Sequence, residues 1–153
     1  MNYTQAVDKI RSLLLTNRTH MLDQVVQFLY EQFEHYHWIG IYIVKDEMLH
    51  LGPWRGDHAT EHIKIAIGKG ICGAAAQTGK TEIIPDVNQD NRYLACFRST
   101  RAEIVVPIRY KGRIIAEIDI DSDTPHVFTI DDKLFLEKVA DMLAPHICEQ
   151  MNP

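Results

Sequence analysis

Carboxylates interrupt otherwise apolar runs at four places in this sequence: Glu103 in AEIVVPI, and Glu117, Asp119 and Asp121 in RIIAEIDID. Residues two apart on a strand share a face, so 117, 119 and 121 line one side of theirs. The turn at Lys111-Gly112 folds the two runs into a hairpin and sets Glu103 beside them. The plainest reading of such a face is a wet, acidic sheet surface. Were it enclosed, the carboxylates would repel one another unless water, a cation or a cationic group of a ligand lay between them. A ligand with an ammonium group meets that need.

The second chemically capable set is the cysteines, Cys72, Cys96 and Cys148. They are too few, and odd in number, for a secreted disulfide framework. In a reducing cytosol such thiols are either small, inert core residues or working chemistry. Cys72 lies in IAIGKGICGAAAQTG, residues 65–79, where Gly68, Gly70 and Gly73 stand at the G-x-G-x-x-G spacing of a dinucleotide-binding loop. That chemistry needs a long crossover helix and a following parallel strand. Here Gly79 ends the helix after barely two turns, and the neighbouring strands read as antiparallel. The glycines therefore shape a turn and bring a helix start close to a strand. A thiol there faces unpaired N–H groups and the positive end of the dipole, which predicts a lowered pKa.

Two further motifs lead away from metals. HATEH, residues 58–62, matches H-x-x-E-H, but it runs directly into a strand, where a zinc peptidase needs a supporting helix. A solvated loop with two surface histidines is expected, and His35 and His37 read likewise as loop residues before a strand. DIDSD, residues 119–123, has the alternating acids of a calcium loop, yet Thr124 and Ile130 occupy the positions of its turn glycine and bidentate glutamate. No metal is expected.

The elements that position these residues follow from periodicity. Helices are predicted over 4–15 and 20–34, the second from Leu22, Val25, Val26, Phe28, Leu29 and Phe33. The pattern then changes to strands at 38–45, 48–54 and 62–67. A short helix over 72–78 is closed by Gly79. Strands follow at 81–87, 102–110 and 113–121, with an irregular stretch to residue 100 between the first two. Thr129 and Asp132 announce a last helix over 130–148, in which Pro145 weakens the final turn and leaves Cys148 near a frayed end. Helices at both ends and hairpins between them imply a mainly antiparallel sheet covered by helices.

Length and charge narrow the function. A chain of 153 residues suits one domain, 1–153, able to form its own core. A net charge of −5 gives no basic footprint for nucleic acid. The N-terminus lacks the form of a signal peptide and no window is apolar enough to span a membrane, so a cytoplasmic protein without membrane contact is expected.

HWIGIY (37–42), LGPWRG (51–56), IGKGICGAAAQTGKTEIIPDV (67–87), LACFRS (94–99), AEIVVPI (102–108) and EIDIDS (117–122) together resemble the free methionine-R-sulfoxide reductases, which are small single-domain GAF proteins. The resemblance runs from about residue 37 into the C-terminal helix, with the motifs in matching order. It implies an α+β, GAF-like fold whose antiparallel sheet has about six strands under N- and C-terminal helices. It implies reduction of free methionine-R-sulfoxide to methionine, with no cofactor. By motif, Cys96 is the nucleophile, and Glu103, Asp119 and Asp121 bind the substrate ammonium and polarise the sulfoxide oxygen. Trp38 and Tyr42 wall the pocket, and Cys72 is the second thiol. Attack leaves Cys96 as a sulfenic acid, a second thiol condenses with it to a disulfide, and a thioredoxin-like dithiol resets the pair. Pairing of terminal helices into a homodimer is implied as well.

The sequence departs from the family pattern at one point. A further cysteine commonly stands upstream of the Cys72 position, in a segment that here reads HATEHIKIAI, and none occurs between Met1 and Ile71. Resolution of the sulfenic acid then falls to Cys72 or to an external thiol. The alternative is a GAF module that binds a small amino-acid-like molecule without chemistry.

Overall fold

The structure is a computed structural model that describes residues 1–16, 18–94 and 99–151. Its elements are α1 (Tyr3–Thr16), α2 (Met21–Gln32), β1 (Trp38–Lys45), β2 (Met48–Gly56), β3 (Lys64–Ala66), α3 (Gly70–Thr78), β4 (Glu82–Ile84), β5 (Ala102–Tyr110), β6 (Arg113–Ser122) and α4 (Ile130–Met151). The strands form one sheet in the order β3-β2-β1-β6-β5-β4, antiparallel at every pairing. The hairpins between β1 and β2 and between β5 and β6 turn at Asp46-Glu47 and Lys111-Gly112, all four residues having positive φ. That is the twist-matched geometry two-residue hairpin turns prefer.

Strand alternation divides the interior in two. On one face Ile39, Ile41, Ile104, Val106, Ile118 and Ile120 pack against the apolar stripes of α1, α2 and α4. On the other face Trp38, Tyr42 and Val105 pack with Leu49, Ile65 and the helix α3. The acids at 103, 117, 119 and 121 belong to this second, thinner layer.

The start of α4 is fixed by a polar hub. Asp132 Oδ2 accepts from the Thr129 backbone N–H at 2.9 Å, and its Oδ1 accepts from Tyr3 and Tyr36 hydroxyls and contacts His35 Nε2, each at 2.9 Å. One carboxylate thus ties α1 and the α2–β1 connection to the N-terminus of α4. Burial pushes this group up, but the bonds from His35, Thr129, Tyr3 and Tyr36 outweigh it and hold its pKa at about 2.

The predicted boundaries are close, with one correction. Helix α4 does not weaken at Pro145; it continues to Met151. Ile147 is buried in the main core and Gln150 Nε2 donates to the Arg18 carbonyl at 3.0 Å. Packing beyond the proline offsets the one backbone bond it removes. Cys148 is therefore a half-buried helical residue on the α4 side of the sheet, remote from Cys72 in the other layer.

Candidate functional site

Register assembles the acids. Trp38 of β1 pairs with Asp121 of β6, which pairs with Glu103 of β5. Gly40, Asp119 and Val105 form the next same-face row, and Tyr42 and Glu117 the row after it. Gly40 is required because a Cβ there would occupy the place of the Trp38 ring. The indole instead lies over the glycine, stacked on Trp54 at 6.2 Å between ring centroids.

The face is not wet. Glu117 is 0% exposed, Asp119 and Asp121 are each 2% exposed and Glu103 is 4% exposed, which overturns the surface reading. Helix α3 covers them, and it can do so because Gly73 brings its backbone against β3. A Cβ at Gly73 would stand 2.6 Å from the Ala66 carbonyl oxygen and 2.9 Å from the Gly68 nitrogen. Gly68 and Gly70, both with positive φ, turn the chain into the helix. The glycine frame thus holds Cys72 over the acids and forms no phosphate cradle.

Burial in low dielectric disfavours the charged forms, and each charge disfavours the next. Burial raises the pKa of Glu117 and of Asp121, with Asp119 adding to both. Asp119 is raised chiefly by burial, against hydrogen bonds to Glu103 and Cys72 and the nearby His62. Glu103 stands beside both Asp119 and Asp121 and favours their charged forms, but burial outweighs it and raises both acids towards their protonated forms. Among the described residues, no nitrogen or oxygen donor reaches either oxygen of Glu117 or the Oδ1 atoms of Asp119 and Asp121. The nearby Cys72 thiol favours the charged form of Glu117, but burial outweighs it.

Cys72 itself is 6% exposed. Its thiol is pushed well up, by burial first and then by Asp119, Glu117, Glu103 and Asp121, the reverse of the lowering expected from its helix position. The helix terminus is weaker than full desolvation beside four carboxyls.

Of the predicted residues, Cys72, Trp38, Tyr42, Glu103, Asp119 and Asp121 come together on one sheet face. Cys96 lies outside the described residues. Its described flanks border the site: Leu94 lines a small cavity with Cys72, Glu103 and Asp119, while Ser99 and Thr100 line a neighbouring depression with Trp38 and Asp121. The small cavity holds about 20 Å³, room for a single water. Tyr42 closes one wall by donating from its hydroxyl to the His62 carbonyl at 2.7 Å. Arg92, bridging Glu82 and Asp90 at 3.0 and 2.8 Å, anchors the chain just before Leu94.

HATEH forms no helix; His58 is exposed, and Thr60 Oγ1 accepts from the His62 N–H. Asp123 is exposed and turns away from the acid cluster to donate its N–H to His37 Nδ1 at 2.8 Å. Beyond the residues assigned to the pocket by motif, the site includes Glu117, which the sequence had already placed on the acid face, and His62, which it had not placed there. Glu117 carried a signal, the same two-residue spacing as Asp119 and Asp121. His62 carried none, since only the fold brings that loop to the cavity.

This combination, a curled antiparallel sheet with a short helix and loops enclosing a small polar pocket on the face opposite the terminal helices, defines a GAF domain. The GAF domain family model matches residues 17–147. The chain is 35% identical over 115 residues, 75% of its length, to the free methionine-R-sulfoxide reductase of Escherichia coli and covers 68% of it. Among solved structures, the type II free methionine-R-sulfoxide reductase from Thermoplasma acidophilum superposes with a TM-score of 0.83 at 38% identity, covering 86% of this chain and 93% of that one. The free methionine-R-sulfoxide reductase from Neisseria meningitidis, in complex with its substrate, superposes with a TM-score of 0.90 at 30% identity, covering 97% and 91%. The chain belongs to the GAF domain family, in the group of the free methionine-R-sulfoxide reductases.

Proposed function

We propose that this chain reduces the R-sulfoxide of free methionine to methionine by thiol chemistry. The observation that carries the reading is the enclosed cluster of Glu103, Asp119 and Asp121 gathered with Trp38, Tyr42 and Cys72. Methionine sulfoxide brings what such a cluster lacks. Its ammonium supplies positive charge to the carboxylates, and its sulfoxide oxygen accepts a proton. The tryptophan and tyrosine rings wall the apolar part.

In the proposed sequence the Cys96 sulfur attacks the sulfoxide sulfur while the acid cluster protonates its oxygen. The protonated oxygen then transfers from the methionine sulfur to the Cys96 sulfur as the S–S and methionine S–O bonds break, so that methionine leaves and Cys96 becomes a sulfenic acid. Cys72 then attacks that sulfur, the hydroxyl departs as water, and a Cys72–Cys96 disulfide forms. This pairing requires the two Cα atoms to come within about 7 Å. A thioredoxin-like dithiol returns both thiols by exchange. A cytoplasmic setting, where such dithiols operate, and a homodimer through the terminal helices complete the reading.

The test is incubation with racemic free methionine sulfoxide and dithiothreitol, followed by chiral chromatography. Selective loss of the R epimer, abolished by Cys96→Ser, is expected. Binding without consumption of either epimer would replace the enzyme by a ligand-binding module.

A further inference from the structure

We propose that Cys72, Glu103 and Asp119 form a binding site for a divalent cation of the zinc type, which inhibits the site by occupying it. One ligand atom from each, a thiol sulfur and two carboxylate oxygens, lies within 4.8 Å of the other two, and all three residues are buried. A tetrahedral zinc holds sulfur at about 2.3 Å and carboxylate oxygen at about 2.0–2.2 Å, so modest closure of the three side chains completes the set.

Three features point to an ion. Among the described residues, Asp119 Oδ1 is without a hydrogen-bond partner, although Asp119 is 2% exposed and lines the cavity beside Cys72. The cavity, at about 20 Å³, has the size of one water or one ion. No lysine or arginine forms an ion pair with Asp119 among the described residues. His62 lines the same cavity.

The donor set selects the ion. Magnesium and calcium want six or more hard oxygens, whereas one thiolate with two carboxylates suits four-coordinate zinc, cobalt or cadmium. The bound ion captures Cys72 and two of the acids. Inhibition rests on the proposed reductase reading; the binding itself does not.

The test titrates the reduced full chain with cobalt(II), then displaces it with zinc. The expected result is one ion per chain with a thiolate-to-cobalt charge-transfer absorption. That band is abolished in Cys72→Ser, kept in Cys148→Ser, and affinity falls at least about tenfold in Asp119→Asn. In the unaltered chain, zinc slows alkylation of Cys72 by iodoacetamide at least about tenfold, read by peptide mass spectrometry, which needs no variant to fold. A band that survives Cys72→Ser, or Cys72 alkylation unchanged by zinc, overturns the proposal. Turnover in metal-free protein is measured separately, so loss of the reductase reading and loss of the metal site remain distinct results.

Discussion

Replacing Asp121 by asparagine should make this protein more stable and inactive at once. Asp121 is 2% exposed and its Oδ1 has no hydrogen-bond partner among the described residues. Burial and the neighbouring Asp119 push its pKa well up. The direction sets the pH dependence. Between the ordinary carboxyl value of about 4 and the higher folded value, the unfolded chain has released this proton and the native state has not. The contribution to stability is therefore undiminished below about pH 4 and is lost as pH rises through the folded pKa. Asparagine has almost the same shape, carries no charge and can donate to Glu103. Relief of one unsatisfied buried polar atom is worth about 1–3 kcal/mol. At about 2–4 °C per kcal/mol for a chain of this size, Asp121→Asn should melt about 2–12 °C higher at pH 8, with a smaller gain at pH 5. Calorimetric melts at the two pH values, beside the methionine sulfoxide assay, measure both effects. A variant that melts at or below the parent at pH 8, or whose gain is the same at pH 5, would show that the carboxylate is already compensated and would refute the reasoning.

Other perturbations separate chemistry from scaffold. Cys72→Ser should leave the first reduction of sulfoxide intact, one methionine per chain, while multiple turnover with thioredoxin falls by at least about tenfold, as quenched-flow product counts would show. Asp132→Asn removes a carboxylate held at about 2 against an ordinary 3.8, worth about 2 kcal/mol at neutral pH. Its melting point should fall by about 4–8 °C, a deficit that vanishes as pH drops from about 4 to 2, because a lowered acid stabilises only above its unfolded value. Gly73→Ala puts a Cβ 2.6 Å from the Ala66 carbonyl oxygen, so α3 must shift. We expect about 1–3 kcal/mol of lost stability in denaturant titration and a raised KM, since Cys72 and the cavity wall move with the helix.

Much of this architecture was legible from period alone. β1 announced itself by an unbroken apolar run, β5 and β6 by apolar runs interrupted only by their acids, and α4 by Thr129 and Asp132, whose mutual bonds the structure contains at 2.9 to 3.4 Å. Three things were not legible. The depth of the acids could not be read, because alternation reports which residues share a face and is silent about what covers it; the cover comes from Gly73 letting α3 approach. The sign of the Cys72 shift was misjudged for the same reason, since a helix terminus is visible in the sequence and four carboxyls across a fold are not. The persistence of α4 beyond Pro145 depended on Ile147 finding the core and Gln150 finding Arg18, contacts separated by the whole chain.

The raised Cys72 pKa looks at first like an obstacle to its proposed part, since thiolates attack and thiols do not. The proton balance argues otherwise. Condensation of a thiol with a sulfenic acid releases water, so the resolving thiol must lose a proton and the departing hydroxyl must gain one. A Cys72 held protonated beside Glu117 carries that proton into the step, and the carboxyl can take it from sulfur and pass it to oxygen. A buried, protonated thiol also resists stray oxidants while it waits. Under the proposed chemistry the same enclosure that raises the thiol therefore protects it, and reactivity appears only when a sulfenic acid forms within reach.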